Sequence, residues 1–578
     1  MDKTSSTITE TLVASFDSVP EQTALVLLHS NQPEEVIRYC DLEIGSNAYA
    51  QLLTRAGIIP GEVVILILPH GKDLIYSFFG AILHGAIPSI MPFLTEKLSA
   101  DQYRTSLAAL FEITSPAAVI TYPEFVSEVR LAASGAASVR AVLVTTQLDG
   151  LAVDPSPRPG GLDRKPSDIA LLQHSSGTTG LQKGVALSHQ AVFNQLAHYA
   201  SAIRLTEEDV IASWLPLYHD MGLISSFLMP VLLRCPLILL SPFDWVRAPV
   251  RLLQAVARFR ATLTWLPNFA YNFCAQKIRS RDLDGLDLSS WRSVINCSEP
   301  MHWKSHAMFL ERFQPYGLKP SAMATCYAMA ENVFAVTQGG INQPVNIDII
   351  DALTFTSQQI AEQVSPEHPQ ALPMLSAGSP IPGTQVRVLD SQGRELPDRQ
   401  IGELAIKSDC MLTGYYRRPD LTEKAFLDGW YLTGDLGYIA QGEVYVTGRK
   451  KDLIIVGGKN IYPQDIERLV NDIPGVHPGR VVAFGIFDEQ AGTEEVVVIA
   501  EMEHSKQIEL ESSPENWSQA AAQLSLEIRQ KVNRGSDVVL STVQIAERDW
   551  LLKTSSGKVA RTANRAKYLA TKLSVELH

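Results

Sequence analysis

Residues 174 to 184, HSSGTTGLQKG, constrain this chain more than any other stretch. Small residues let successive backbone amides approach an anion, the hydroxyls of Ser175, Ser176, Thr178 and Thr179 add donors, and Lys183 adds positive charge. Gly177 and Gly180 supply the tight backbone, so the loop is built for a polyphosphate. It is not the nucleotide loop in which two glycines five apart run directly into Lys and then Ser or Thr, because Gln182 stands in the way. The apolar run 169–172 before it reads as a buried strand. After Ser188, a predicted helix N-cap, Val192, Leu196, Tyr199 and Ile203 recur at spacings of four, three and four. That spacing predicts an amphipathic helix immediately after the loop.

The same alternation runs through the chain. Short β-rich segments at 63–68, 141–145 and 169–172 are separated by longer helical periodicities, the pattern of an α/β fold with largely parallel sheets. Toward the end, 436–448 reads as short hairpin strands, followed by GRKKD and a compact unit with strands at 481–487 and 496–501. The boundary is predicted near 449, giving a large N-terminal α/β domain of several subdomains over 1–448 and a small mobile α+β domain over 449–578. Residues 339–373 interrupt the large domain as an insertion, with a short amphipathic helix expected at 357–364.

A chain of 578 residues needs more than one domain, and its net charge of −13 argues against nucleic acid or an anionic membrane as a general partner. Six cysteines stand singly, without CxxC pairs, and point to a reduced cytoplasmic protein without structural metal. The most apolar stretch, 223–240, is broken by Pro230, Arg234 and Pro236, so a buried helix and strand are expected and no membrane span.

With the motifs that follow, SSGTTGLQKG resembles the phosphate loop of the adenylate-forming superfamily that includes acyl-CoA synthetases, luciferases and peptide-synthetase adenylation domains. The resemblance covers about residues 20 to 570 and implies ATP, Mg²⁺ and a carboxylic acid as reactants. In CYAMAENVF it implies that Glu331, with Thr178, holds Mg²⁺, that Tyr327 stacks on adenine, and that Ala328 and Met329 lie beside it; Ala328 departs from the usual Gly. In YLTGDLGYI it implies Asp435 on the ribose hydroxyls, with Arg449 of GRKKD as a second contact and Lys451 as hinge. In SSGKVAR it implies Lys558 as the catalytic lysine that bridges carboxylate and α-phosphate. Read locally, Lys558 is a solvated charge and Asp435 a turn former.

WLPLYHDMGLI, LPNFAYNFCAQKI, NCSEP and YPQDIE resemble the fatty acyl-AMP ligase branch, whose insertion 339–373 matches in position and length. The branch implies transfer to the phosphopantetheine of an acyl carrier protein, with CoA as the competing acceptor. It implies His219 as a gate beside Trp214 and Met221, an acyl lining that includes Leu215, Phe227, Trp265 and Phe269, and Ser298 and Glu299 at the nucleotide. Trp265 and the Cys297-Ser298 pair depart from the branch's small residues, which leaves a short, branched or cyclic acid open. A chain that binds an adenylate without making it is a further alternative. Finally, 553–572 carries Lys553, Lys558, Arg561, Arg565, Lys567 and Lys572 without an acid, and is expected to offer a basic surface to an acidic acceptor.

Overall fold

A computed structural model describes residues 6–30, 32–92, 100–149, 158–175, 183–456, 459–488, 493–503, 507, 514–536, 538–554 and 557–576. The fold is mixed α/β. A seven-stranded sheet runs in the order Met323–Cys326, Ser293–Cys297, Leu263–Leu266, Ile211–Ser213, Leu237–Leu240, Thr23–Leu28 and Glu35–Arg38. All neighbours are parallel except the last pair. Strands of a parallel sheet covered on both faces are apolar throughout, as LTWL and LILL are, and every residue of both is buried. A second sheet, Ile87–Ile90, Val63–Ile67, Ala118–Thr121 and Ala141–Val144, is parallel throughout. The expected strands at 63–68 and 141–145 are therefore present to within a residue.

The phosphate-loop neighbourhood differs from the expected strand, loop and helix. Ile169–Ser175 and Lys183–Ser188 form an antiparallel pair with Ser175 opposite Lys183, so the loop joins two strands. The helix His189–Ala202 follows only after the second strand; its N-cap is Ser188, whose Oγ accepts from the amide of Ala191 at 3.1 Å. Gly184–Leu187 of the second strand are all buried, a short apolar run that the helical periodicity further on had masked.

Beyond these sheets lie an antiparallel sheet built on Trp430–Ala440 and Glu443–Arg449, and a C-terminal small domain. The small domain packs helices Pro463–Asn471 and Pro514–Ser536 on strands Val476–Asp488, Thr493–Met502 and Leu540–Ala546. Its buried clusters draw on residues from Ile454 onward, whereas the largest core of the protein ends at Val444. Within 339–373, Ile347–Asp351 pairs antiparallel with Ala371–Leu375. The helix lies at Ala352–Gln358, earlier than expected, capped by Asp351, whose Oδ1 accepts from Thr354 at 2.7 Å. Gln359 in the left-handed region ends it two residues into the predicted stretch. Gly339 exchanges two backbone hydrogen bonds with Thr325, so the start of the segment belongs to the main body.

Candidate active site

Ser176, Gly177, Thr178, Thr179 and Gly180 lie outside the described residues, as does the side chain of Ser175. The loop's far end is described. The Lys183 ammonium lies 4.6 Å from the ring centre of Tyr415, whose hydroxyl donates to Glu331 Oε1 at 2.9 Å and meets the Tyr431 hydroxyl at 2.9 Å. Burial raises the pKa of the Glu331 carboxyl against the lowering effect of its own backbone amide and of the Tyr415 hydroxyl. The backbone here is held under strain. Val333 has φ 62° and ψ −53°, and Phe334 N donates to Asn332 O at 2.6 Å, a γ-turn of the rare positive-φ kind centred on a β-branched residue. Such a turn costs on the order of 1–3 kcal/mol.

Asp435 and Arg449 are register partners across the Trp430–Ala440 and Glu443–Arg449 pair. Arg449 Nε lies 3.1 Å from Asp435 Oδ1, and the Tyr327 hydroxyl donates to Asp435 Oδ2 at 2.7 Å. Both carboxylate oxygens are thus held in place, one from the neighbouring strand and one by the residue that follows Met323–Cys326 of the seven-stranded sheet. Ala328 and Met329 are half-buried beside Tyr327, packed against the main core.

The third group crosses from the small domain to the large one. Lys558 follows a turn in which Thr554 N donates to Lys558 O at 2.7 Å and Gly557 takes φ 85°. Its ammonium donates to the carbonyl of Ser298. Ser298 itself has φ 68°, an uncommon conformation for a residue with a Cβ, directly after the strand Ser293–Cys297. Glu299 Oε2 accepts from Phe269 N at 2.9 Å; burial raises its pKa, and the Lys558 charge pulls the other way. Burial also opposes ionisation of Asp220, but His219, whose Nδ1 lies 2.5 Å from Asp220 Oδ1, and the more distant Lys558 leave its pKa lowered. Asp220 precedes a π-helical turn, Met221–Leu228, a wide helix form common at functional sites. Gly222 is required there, because a Cβ would stand 2.2 Å from Pro216 O.

Lysine, two carboxylates and a histidine thus converge at the ends of parallel strands, beside a paired aspartate and arginine suited to a vicinal diol and a cation suited to phosphate. A family model described as AMP-binding enzyme matches residues 14–416. The chain belongs to this family of adenylate-forming ligases, in its fatty acyl-AMP ligase branch. The long-chain-fatty-acid–AMP ligase FadD26 of Mycobacterium marinum is 30% identical, covering 98% of each chain. The medium-chain-fatty-acid–[acyl-carrier-protein] ligase JamA of Moorena producens is 28% identical over 91% of this chain and 90% of its own. Among solved structures, that from a study of fatty acyl-adenylate ligases from E. coli and L. pneumophila superposes with a TM-score of 0.88 at 26% identity, covering 98% of both chains. A second, the L. pneumophila ligase in complex with acyl adenylate and pyrophosphate, superposes with a TM-score of 0.72 at 27% identity, covering 97% and 96%. The ligase uses ATP to activate a carboxylic acid as its acyl-adenylate.

Not all residues expected along the acyl path meet the reacting centre. Met221 does: its sulfur lies 3.7 Å from Ser298 Oγ. Trp214 is stacked on Trp245 with ring centres 3.6 Å apart, and the half-exposed Phe269 meets both edge-on. Phe227 packs on Phe78 and Phe79, deep in the core, and Leu215 is buried. Trp265 is fully buried and its indole donates to Tyr199. Tyr415, Tyr199 and Asp220 were missed from sequence. Asp220 was within reach, because it adjoins His219 in a motif already singled out.

The expectation of a continuous basic surface in the last segment needs correction. Arg561 is an internal tie: it pairs with Asp452 at 2.6 Å and Glu467 at 2.8 Å and donates to Ala483 O at 2.9 Å. Lys567 donates to Trp550 O at 2.6 Å and lies over the same indole. Buried carboxylates and an aromatic face draw the cations inward; Lys553, Arg565 and Lys572 remain exposed. Lys451 lies in the short 3₁₀ turn Lys450–Asp452 that joins the two parts, with its pKa lowered by burial and by the Arg449 charge. Among the described residues no helix is long and apolar enough to cross a membrane, and all six cysteines are free thiols.

Proposed function

We propose that this ligase activates a fatty acid and passes the acyl group to the phosphopantetheine thiol of an acyl carrier protein. In the first half-reaction a carboxylate oxygen attacks the α-phosphorus of ATP, and the bond to pyrophosphate breaks. In the second, the thiol loses its proton, its sulfur attacks the acyl carbon, and AMP leaves. Lys558 offsets the charge of carboxylate and α-phosphate as they approach. Asp435 accepts from the ribose hydroxyls, Arg449 and Tyr327 keep it oriented, and Tyr327, Ala328, Met329, Ser298 and Glu299 border the nucleotide. Lys183 and the loop hydroxyls bind the pyrophosphate end.

Glu331, a half-buried carboxylate whose Oε1 accepts from Tyr415, is a suitable ligand for the Mg²⁺ that accompanies ATP, with Thr178; the ion neutralises phosphate charge when bound. The observation that carries the reading is the reach of Lys558 to Ser298 beside Glu299 and Asp220. Rotation of residues 449–578 about Lys451 after adenylation clears Lys558 for the thiol. The similarity to FadD26 and JamA supports a fatty acid and a carrier acceptor. The test is pyrophosphate release with a panel of acids, followed by intact-mass analysis of a holo carrier protein and of CoA in parallel. Acid-dependent pyrophosphate release with acylated carrier is expected; acyl-CoA as the main product would reassign the acceptor.

A further inference from the structure

We propose that His198, Asp409 and Cys410 form a binding site for a thiophilic divalent cation of the zinc class, separate from the proposed nucleotide site and its Mg²⁺.

Among the described residues one group of histidine, cysteine and acidic side chains brings three donor atoms within 4.8 Å of one another, and it is this one. His198 lies on the helix His189–Ala202, and Asp409 and Cys410 follow the strand Gly402–Ser408. Asp409 stands between its two partners: His198 Nε2 is 3.1 Å from Oδ2, and the Cys410 thiol donates to Oδ1 at 3.3 Å. Ligands at zinc bond lengths of about 2.0–2.3 Å in a tetrahedron stand roughly 3.3–3.8 Å apart, so the three donors need only small shifts to share an ion. The separation of 211 residues between His198 and Asp409 hides the group from any reading of motif spacing.

The surroundings hold the donors in place. One turn before His198 on the helix, Asn194 Nδ2 donates to Asp409 O at 2.8 Å, and Asn194 Oδ1 accepts from Gln190 Nε2 at 2.8 Å. Cys410 N donates to Ser408 Oγ at 3.0 Å. Gly383 borders the group with φ 76°; a Cβ there would collide with His198 Nε2 and stand 2.8 Å from Asp409 Oδ1, so a glycine leaves both donors clear. Cys410 is buried, His198 half-buried, and Asp409 and Gly383 exposed, which gives an ion a path in and leaves its fourth position to water.

Donor chemistry selects the ion. Thiolate and imidazole favour zinc and similar metals, whereas Mg²⁺ takes oxygen ligands and keeps its waters. Burial raises the pKa of the Cys410 thiol, so its proton stays until the ion displaces it to solvent. The imidazole remains neutral by carrying its proton on Nδ1, and one dipositive ion then balances a thiolate and a carboxylate. Bound there, the ion ties the helix to the segment that runs on through Leu412, whose amide donates to Glu331 O at 2.8 Å, and Thr413, whose amide donates to Ala186 O at 2.9 Å.

The test uses untagged full-length protein, stripped with a chelator, desalted and titrated with Co²⁺, whose bond to a thiolate gives a charge-transfer absorption in the near ultraviolet. Wild type is expected to develop this band with one equivalent, to lose it when Zn²⁺ is added and to keep it in Mg²⁺. Cys410→Ser should abolish the band, His198→Gln and Asp409→Asn should weaken Co²⁺ binding by about tenfold or more, and Cys40→Ser should leave it intact. Zn²⁺ should raise the thermal midpoint of wild type and not that of Cys410→Ser. No band in wild type overturns the proposal, as does a band of full strength in folded Cys410→Ser or in His198→Gln, its loss in Cys40→Ser, or an equal rise of midpoint with and without the Cys410 thiol. Should Cys410→Ser not fold, as judged by its thermal transition, His198→Gln and Asp409→Asn decide.

Discussion

The proposed ribose end of the site and its proposed reacting end are built in different ways. Asp435, Arg449 and Tyr327 come from adjoining elements of one body and already hold one another at 2.7 and 3.1 Å. At the reacting end, Lys558 comes from the small domain to meet Ser298, Glu299 and Asp220 of the large one. A nucleotide must stay bound through both half-reactions, so its pocket can be permanent. On the proposed reading the lysine acts in one of them, so its place can be temporary. Each prediction below strikes one side of this contrast.

The largest effect is expected from Lys558→Ala. Losing one preorganised charge from a centre where negative charge gathers should lower adenylation by about 10²- to 10³-fold. Calorimetric ATP affinity should change little, since the ribose end is untouched. Pyrophosphate release under saturating acid gives the first number; a rate near that of wild type removes Lys558 from the chemistry.

Asp435→Ala strikes the permanent side. Hydrogen bonds to a charged acceptor are worth about 1.5–3 kcal/mol, so the KM for ATP should rise by about tenfold or more. Arg449 and Tyr327 would also lose a shared partner, so Asp435→Asn, which keeps the shape, should do less harm. An unchanged ATP affinity in both variants would mean that the ribose is held elsewhere.

Between the two sides stands Phe355, on the helix Ala352–Gln358 of the inserted segment, with its ring centre 5.3 Å from that of Tyr462. It packs in a cluster that joins the insertion to Tyr438 and Tyr445 of the large body. Phe355→Ala should loosen the small domain and raise the ratio of acyl-CoA to acyl-adenylate by several-fold without lowering adenylation. A constant ratio in the folded variant would locate acceptor choice outside this contact.

His302 reports on the same interface through pH. Burial first, and then the Arg468 charge from the small domain, lower its pKa to about 4 from an ordinary value near 6.5. Between those values the unfolded chain binds the proton and the folded one does not, so stability falls as pH drops through this window. His302→Gln should flatten the acid limb of a denaturation midpoint plotted against pH from about 6.5 to 4. Parallel limbs would show that His302 keeps its proton in the folded protein.

Sequence carried the contrast only in part. Asp435, Arg449 and Lys558 lie in short motifs that take their meaning from the family resemblance, since read locally Asp435 is a turn former and Lys558 a solvated charge, and parallel sheets follow from runs such as 63–68 and 141–145. Arg561 could not be read that way. Nothing near it in sequence shows that Asp452 and Glu467, about a hundred residues earlier, will close on it, so it looked like surface charge. Tyr199 lay on a helix face with core periodicity, and its hydroxyl gains meaning only beside Trp265. The strand Lys183–Ser188 was hidden by the stronger helical pattern that follows it.

The smallest effect should come from the ion pair that joins the two bodies at their edge, Lys304 Nζ to Asp472 Oδ2 at 2.9 Å. Both side chains are about half exposed, 53% and 43%, so the attraction is screened and the pair is worth about 0–1 kcal/mol. Lys304→Ala removes it without touching the ribose end, the lysine of the reacting end or the packing of Phe355. If the reacting end forms only when the bodies meet, even this loss should lower the adenylation rate, by no more than about fivefold, and leave ATP affinity alone. The deficit should shrink as salt is raised, because added ions weaken the wild-type pair and have nothing to weaken in the variant. Adenylation rates of the two proteins across an ionic-strength series make the comparison. A deficit that persists at high salt would assign the effect to lost packing of the lysine stem, and an equal loss of ATP affinity would show that the two ends are built as one.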